Sequence, residues 1–177
     1  MGASIAYIKT KNLEKNYSLL IDKYGQNKKI IAIVKANAYG HGAKEISNFL
    51  KSKKISYLGV ANLDEALELK KNGSNAKILI MGSITNDEIV KAIKLKNEFT
   101  IYDFSQIKFL DKLKNIKINF HLKIDTGMNR LGLSKNEIAQ AAKIFSKNKN
   151  FIMKGIYTHF AEACLLYTSP SPRDLST

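Results

Sequence analysis

Apolar residues along the chain switch repeatedly between two periods. Leu13, Tyr17, Leu20 and Ile21 recur at helical spacing between Thr10 and Tyr24, and Gly25 supplies a stop. Ile30 to Val34 is a β-branched run that reads as a buried strand ending at Lys35, and a small-residue turn containing Gly40 and Gly42 follows it. Ala43, Ile46, Phe49 and Leu50 then form a helical stripe. Tyr57 to Ala61 reads as a strand. Asn62 and Glu65 form a capping pair that opens a helix through Leu63, Ala66, Leu67 and Leu69, closed by Gly73. Lys77 to Met81 is the next strand. Thr85 and Glu88 open a helix with Ile89, Val90 and Ile93 inward. The strand from Phe99 to Tyr102 precedes a helix that starts at Ser105 and carries Ile107, Leu110 and Leu113. Ile116 to Ile124 alternates with period two. Ser134 and Glu137 form another capping box, ahead of Ile138, Ala141 and Phe145, and Met153 to Thr158 is the last strand.

Strict strand-helix alternation with short connections predicts a parallel sheet. Two architectures satisfy it, a doubly wound sheet and a TIM barrel. No glycine fingerprint follows the first strand, which weakens a dinucleotide-binding reading. Lys35, Asn62, Asp125 and His159 each follow a strand end, the placement expected of a barrel with its site on the carboxyl face. About six βα units are visible, too few to close eight strands. The fold class expected is therefore α/β, an incomplete TIM (β/α)8 barrel of parallel strands.

Composition narrows the picture only slightly. The chain has 177 residues, 45% hydrophobic and 25% charged, ordinary values for a globular protein. No stretch has the length of a membrane span or the zones of a signal peptide, so a cytoplasmic protein without membrane contact is expected. The net charge of +14 raises the possibility of a basic nucleic-acid-binding module. The lysines are scattered through helices rather than clustered with aromatics, so no nucleic-acid partner is expected.

Lys35 changes the argument. A lysine at the carboxyl end of a buried strand is unusual, because burying an unpaired ammonium is costly and favours the neutral, nucleophilic amine. Such an amine suits Schiff-base chemistry with an aldehyde. The plain alternative is a lysine that ends a strand and reaches water. The longer stretch Ala32-Ile33-Val34-Lys35-Ala36-Asn37-Ala38-Tyr39-Gly40-His41-Gly42 resembles the pyridoxal-phosphate signature of alanine racemases. The resemblance implies pyridoxal 5'-phosphate as cofactor, an internal aldimine on Lys35, and a bond from Tyr39 to the cofactor phosphate. His41 lies within the signature at the start of the helix and reads as structural, and Asn16 matches a frequent family asparagine that supports the fold.

A second block, His121-Leu122-Lys123-Ile124-Asp125-Thr126-Gly127-Met128-Asn129-Arg130-Leu131-Gly132, is equally informative. Period two places Lys117, Asn119, His121 and Lys123 on one face, inward if the strand belongs to a barrel. A lysine there must be paired, neutral or modified, unless the strand is an exposed edge with solvated lysines. The block resembles the alanine racemase segment around a carbamylated lysine, which matches Lys123. A carbamate could hold an arginine by charge-assisted hydrogen bonds. That arginine matches Arg130, implied to contact the cofactor's phenolic oxygen and to help place substrate. Asn129 stands where the family more often has glycine, a change that a left-handed turn tolerates. His159 matches the histidine that packs against the pyridine ring.

The resemblance covers Ser4 to Ala163. Two domains of sequence follow, 1–163 as a partial barrel and 164–177 as a tail that looks like a translated sequencing-library adapter. The single cysteine, Cys164, falls in that tail, so no disulfide, metal site or thiol nucleophile is expected. The function implied is interconversion of L- and D-alanine, supplying D-alanine for peptidoglycan, in a homodimeric enzyme. Lys35 serves as one base, and a tyrosine from the partner subunit's carboxyl-terminal domain serves as the other. The chain alone is expected to be inactive. The rival readings are a racemase of another amino acid and a vitamin B6-homeostasis barrel, which lacks the Tyr-Gly-His-Gly continuation.

Overall fold

Side-chain caps and glycine stops set the element boundaries. In chain order these are α1 (Thr10–Tyr24), β1 (Ile30–Ile33), α2 (Lys35–Tyr39), α3 (Ala43–Leu50), β2 (Ile55–Val60), α4 (Leu63–Lys71), β3 (Lys77–Ile80), α5 (Asn86–Lys94), β4 (Glu98–Ile101), α6 (Phe104–Asp111), β5 (Ile118–Ile124), α7 (Lys135–Lys147) and β6 (Phe151–Thr158). The computed structural model describes residues 7–25, 27–53 and 55–161. Cys164 and the proposed tail lie outside the described residues. The chain divides into two units, the first ending at Phe99 and the second beginning at Thr100.

Caps explain the helix starts. Thr85 and Glu88 make the reciprocal box at α5, and Ser134 and Glu137 make it at α7. At α6 the cap is Asp103, paired with Gln106, so the helix starts at Phe104 and not at Ser105. Asp103 Oδ1 accepts the Ser105 N–H at 2.6 Å, so Ser105 lies inside the first turn and is not its cap. Strand ends also shift from the expected ones. β5 begins at Ile118 rather than Ile116, and β6 begins at Phe151 rather than Met153, because Ile118 pairs with Phe151.

In the first unit β1, β2, β3 and β4 pair in parallel, with Ile33 opposite Gly59, Val60 opposite Ile80, and Ile80 opposite Phe99. Leu58, Val60, Ile78, Leu79 and Ile80 of the strands are buried, as are Leu63, Ala66, Leu69, Ile89 and Ala92 of the helices. Each of the buried valine, leucine and isoleucine side chains contributes about 1.5–3 kcal/mol over its exposed state. β1 is less buried than its sequence predicts, since Ile31 is 36% and Ile33 37% exposed. Among the described residues β1 pairs with β2 alone, which leaves its other flank uncovered.

Backbone carbonyls at helix ends attract lysines. Lys51 donates to the carbonyl of Gly73 at 2.9 Å, and Lys70 donates to the carbonyl of Leu95 at 3.0 Å. Each ties the end of one helix to the carbonyl just beyond the next.

In the second unit β5 and β6 pair in parallel, with a register shift after Phe120 that places His121 opposite Gly155. A Cβ at Gly155 would lie 2.8 Å from His121 Nδ1, so only glycine lets the imidazole pack there. Phe120, Phe145 and Phe151 form an aromatic cluster with centroids 4.9–5.8 Å apart, which packs α7 onto the strands.

Candidate active site at the carboxyl ends of the strands

After Val34 the chain leaves the strand by an unusual route. Ala36, Asn37, Ala38 and Tyr39 all have φ between 50° and 54°, one turn of left-handed helix closed by Gly40 at φ 84°. Left-handed geometry costs about 1–2 kcal/mol per L-residue, and asparagine alone of these four tolerates it routinely. Local bonds hold the turn. Ala38 N–H donates to Val34 O at 2.9 Å, Gly42 N–H donates to Asn37 O at 3.0 Å, and His41 Nδ1 lies 2.8 Å from Ala38 O. The Asn37 side chain accepts the N–H of Ala43 at 2.7 Å, tying the turn to α3.

The turn brings Lys35 and Tyr39 together, with Nζ 5.9 Å from the ring centroid. Both side chains are exposed, Tyr39 by 60%. The burial expected of Lys35 is therefore absent: within the turn Ala38 alone is buried, while Lys35, Ala36, Asn37 and Tyr39 are exposed. His41 precedes α3 by two residues instead of starting it, and its ring braces the turn. Asn16 lines an open cavity of about 430 Å³ with Tyr7, Leu13, Ile33 and His41.

Glu65 also reaches this turn. Asn62 caps α4 by accepting the N–H of Glu65 at 2.9 Å, as expected. The reciprocal arm does not return to Asn62. Glu65 Oε2 accepts the N–H of Ala61, and Oε1 accepts the N–H of Ala36, each at 2.7 Å. The sequence signal was a glutamate three residues after a cap, which reports a helix start and not a bond 29 residues away.

The second unit presents Lys123, Arg130 and His159. His121 and Lys123 are only 6% and 7% exposed, so the strand does not carry solvated lysines. Lys123 Nζ lies 6.0 Å from the Tyr157 ring centroid. The Tyr157 hydroxyl is 2.8 Å from Thr100 Oγ1, and burial pushes its titration above the ordinary tyrosine value, against the opposing effect of that hydrogen bond. The loop after β5 turns on Asp125, whose Oδ1 accepts the N–H groups of Gly127 at 2.9 Å and Asn129 at 3.1 Å. Those bonds hold its carboxyl below the usual carboxylate value. Asn129 adopts φ 54°, the left-handed angle expected of it, and Leu133 N–H returns to Lys123 O at 2.9 Å. Arg130 is exposed on this loop. Thr158 Oγ1 donates to Ile124 O at 2.8 Å and pairs with Thr126 Oγ1 at 2.7 Å, fixing the strand end from which exposed His159 projects.

Residues 8–176 match the profile described as alanine racemase, N-terminal domain. The chain belongs to the alanine racemase N-terminal domain family. An alanine racemase of Fusobacterium nucleatum subsp. nucleatum is 42% identical over 158 residues, covering 88% of this chain and 43% of that protein. The crystal structure of the alanine racemase from E. faecalis superposes with a TM-score of 0.79 at 32% identity, covering 88% of this chain and 43% of that one. A histidine racemase from Leuconostoc mesenteroides subsp. sake superposes with a TM-score of 0.74 at 26% identity, over 83% of this chain and 40% of that one. The chain thus spans about two fifths of the length of these alanine racemase relatives. Its fold is the incomplete parallel TIM barrel of that domain. Among the described residues no helix is long and apolar enough to cross a membrane, and no cluster of three metal-ligating side chains occurs.

Proposed function

We propose that this domain serves a cytoplasmic, homodimeric alanine racemase that interconverts L- and D-alanine and so supplies D-alanine for peptidoglycan, with pyridoxal 5'-phosphate as its cofactor. The observation that carries the reading is the Lys35–Tyr39 turn, an exposed primary amine beside a phenol on a left-handed turn at a strand's carboxyl end. The donor set fits the cofactor: an amine for its aldehyde, a phenol for its phosphate, and a guanidinium for its phenolic oxygen. When bound, pyridoxal phosphate supplies the electron sink that makes the α-proton of an amino acid removable. Lys35 Nζ would hold the cofactor through its aldehyde and would take or return the α-proton of the amino acid on one face. Tyr39 binds the phosphate. Arg130 directs its charge at the cofactor's phenolic oxygen and the substrate carboxylate. Lys123, buried at the end of β5, is the carbamylated residue that orients Arg130. His159 packs against the pyridine ring.

Borohydride treatment of the chain with pyridoxal phosphate, followed by peptide mapping, should place a pyridoxyl group on Lys35; labelling of a different lysine overturns the assignment. Intact-mass or carbon-13 bicarbonate measurements should find a carbamate on Lys123, and a bare amine in bicarbonate buffer refutes it. The likeness to a histidine racemase supports a second reading, the same chemistry on another amino acid. Racemisation assays of the full-length protein with alanine and histidine separate the two.

A further inference from the structure

We infer that Glu65 is a positioning residue for Lys35, tying the peptide that follows the lysine to the end of the next strand. The inference rests on the proposed role of Lys35. The left-handed turn of Ala36 to Tyr39 is strained, and strained backbone persists only where its surroundings over-determine it. Most of its bonds are internal, from Val34 to Ala43. The bond from Ala36 N–H to Glu65 Oε1 brings in a second βα unit.

Geometry makes this bond more than a helix cap. A glutamate at the third position of a helix ordinarily turns back to the cap residue's own N–H. Glu65 instead spans two strand ends, with one oxygen on the Ala61 N–H and the other on the Ala36 N–H, each at the short distance of a charge-assisted bond. Its own helix is anchored, since Asn62 caps it and Leu63, Ala66 and Leu69 are buried. β2 is fixed between β1 and β3. Glu65 therefore transmits a rigid frame to the peptide plane between Lys35 and Ala36. That plane sets the direction of the Lys35 side chain, and a displacement of about 1 Å at a reacting group can cost about a hundredfold in rate.

Glu65→Gln tests the inference with little change of shape. The amide replaces one of the two oxygens with an NH2 donor, which cannot accept the N–H that it faces. In the cofactor-free protein, hydrogen exchange followed by mass spectrometry should show segment 34–43 exchanging about tenfold faster, with segment 77–94 unchanged. Condensation of the Lys35 amine with the aldehyde of added pyridoxal phosphate forms a C=N bond and releases water. Trapping of that adduct by borohydride should slow about tenfold at subsaturating aldehyde. Glu65→Asp keeps the charge but is one methylene too short to span both strand ends; it should show the same two changes and carries the test if the glutamine variant does not fold. Glu68→Gln, on the same helix, should alter neither. Unchanged exchange at 34–43, or a uniform rise across the whole chain, overturns the inference. Wild-type protein labelled at Lys35 with no slowing in either Glu65 variant also overturns it. Failure of the wild type to label Lys35 refutes the proposed function instead, and leaves the exchange result to decide on Glu65.

Discussion

Two loops carry the candidate chemistry, and each is organised by one carboxylate that accepts two backbone N–H groups. After β5, Asp125 bonds to residues two and four positions ahead, inside its own loop. After β1, the carboxylate is Glu65, which lies 29 residues from the turn it holds. The β5 loop places asparagine at its left-handed position, whereas the β1 turn places two alanines and a tyrosine there beside one asparagine. The first loop is close to self-sufficient. The second stores strain and depends on a neighbouring βα unit for part of its support.

The largest expected effect tests whether the strained turn is the chemical one. Lys35→Ala should abolish borohydride-fixed label and, in the full-length racemase this domain is proposed to serve, lower racemisation by about a hundred- to ten-thousand-fold, the usual result of losing a positioned base. Residual activity within tenfold of wild type would move the chemistry elsewhere. Asp125→Ala comes next. Hydrogen exchange at 125–133 should rise on the order of tenfold while 34–43 stays unchanged, because the aspartate acts only on its own loop. A rise in both segments would break the contrast.

A pH profile sharpens it further. The Asp125 carboxyl is held below its ordinary value mainly by the Gly127 N–H. Its contribution is therefore fully present above the unfolded carboxylate value of about 3.9 and is lost as pH falls through the lowered native value. Glu88 behaves likewise through the Thr85 N–H. Acid unfolding monitored by circular dichroism should be shallower in Asp125→Asn, and an identical acid limb would show that the loop bonds carry no linkage. The smallest effect separates the two turns directly. Ala36→Gly relieves a left-handed alanine and should stabilise by up to about 1 kcal/mol in thermal melts, while Asn129→Gly should be near neutral. Equal shifts would mean that the turns are equally strained.

Periodicity locates the strands and the helices other than α2 to within a few residues, because burial against a sheet imposes a spacing that short windows contain. Caps are legible for the same reason, although Asp103 and Ser105 both fit the cap pattern ahead of Ile107 and only the bond to the Ser105 N–H decides between them. The candidate residues Lys35, Tyr39, Lys123 and Arg130 are carried by two contiguous motifs, and His159 by its place after the last strand. The left-handed run at Ala36–Tyr39 was not legible, since alanine and tyrosine give no sign of positive φ. The second role of Glu65 was hidden because it depends on two strand ends meeting, a fact of sheet register and not of spacing. The exposure of Ile31 and Ile33 was missed because an apolar run looks the same on a covered flank and on an open one.

The lysines that bridge helix ends give the charge of this protein a different meaning. Lys51 and Lys70 satisfy backbone carbonyls of Gly73 and Leu95, and such carbonyls exist at every helix end whatever side chain occupies the position. A cation placed there needs no acidic residue to arise with it, and no substitution can delete its acceptor. A lineage can gain lysines one at a time at these sites without first inventing counter-charges. At these two positions the lysine serves the hydrogen bonding of the peptide backbone, while its charge remains part of the net +14.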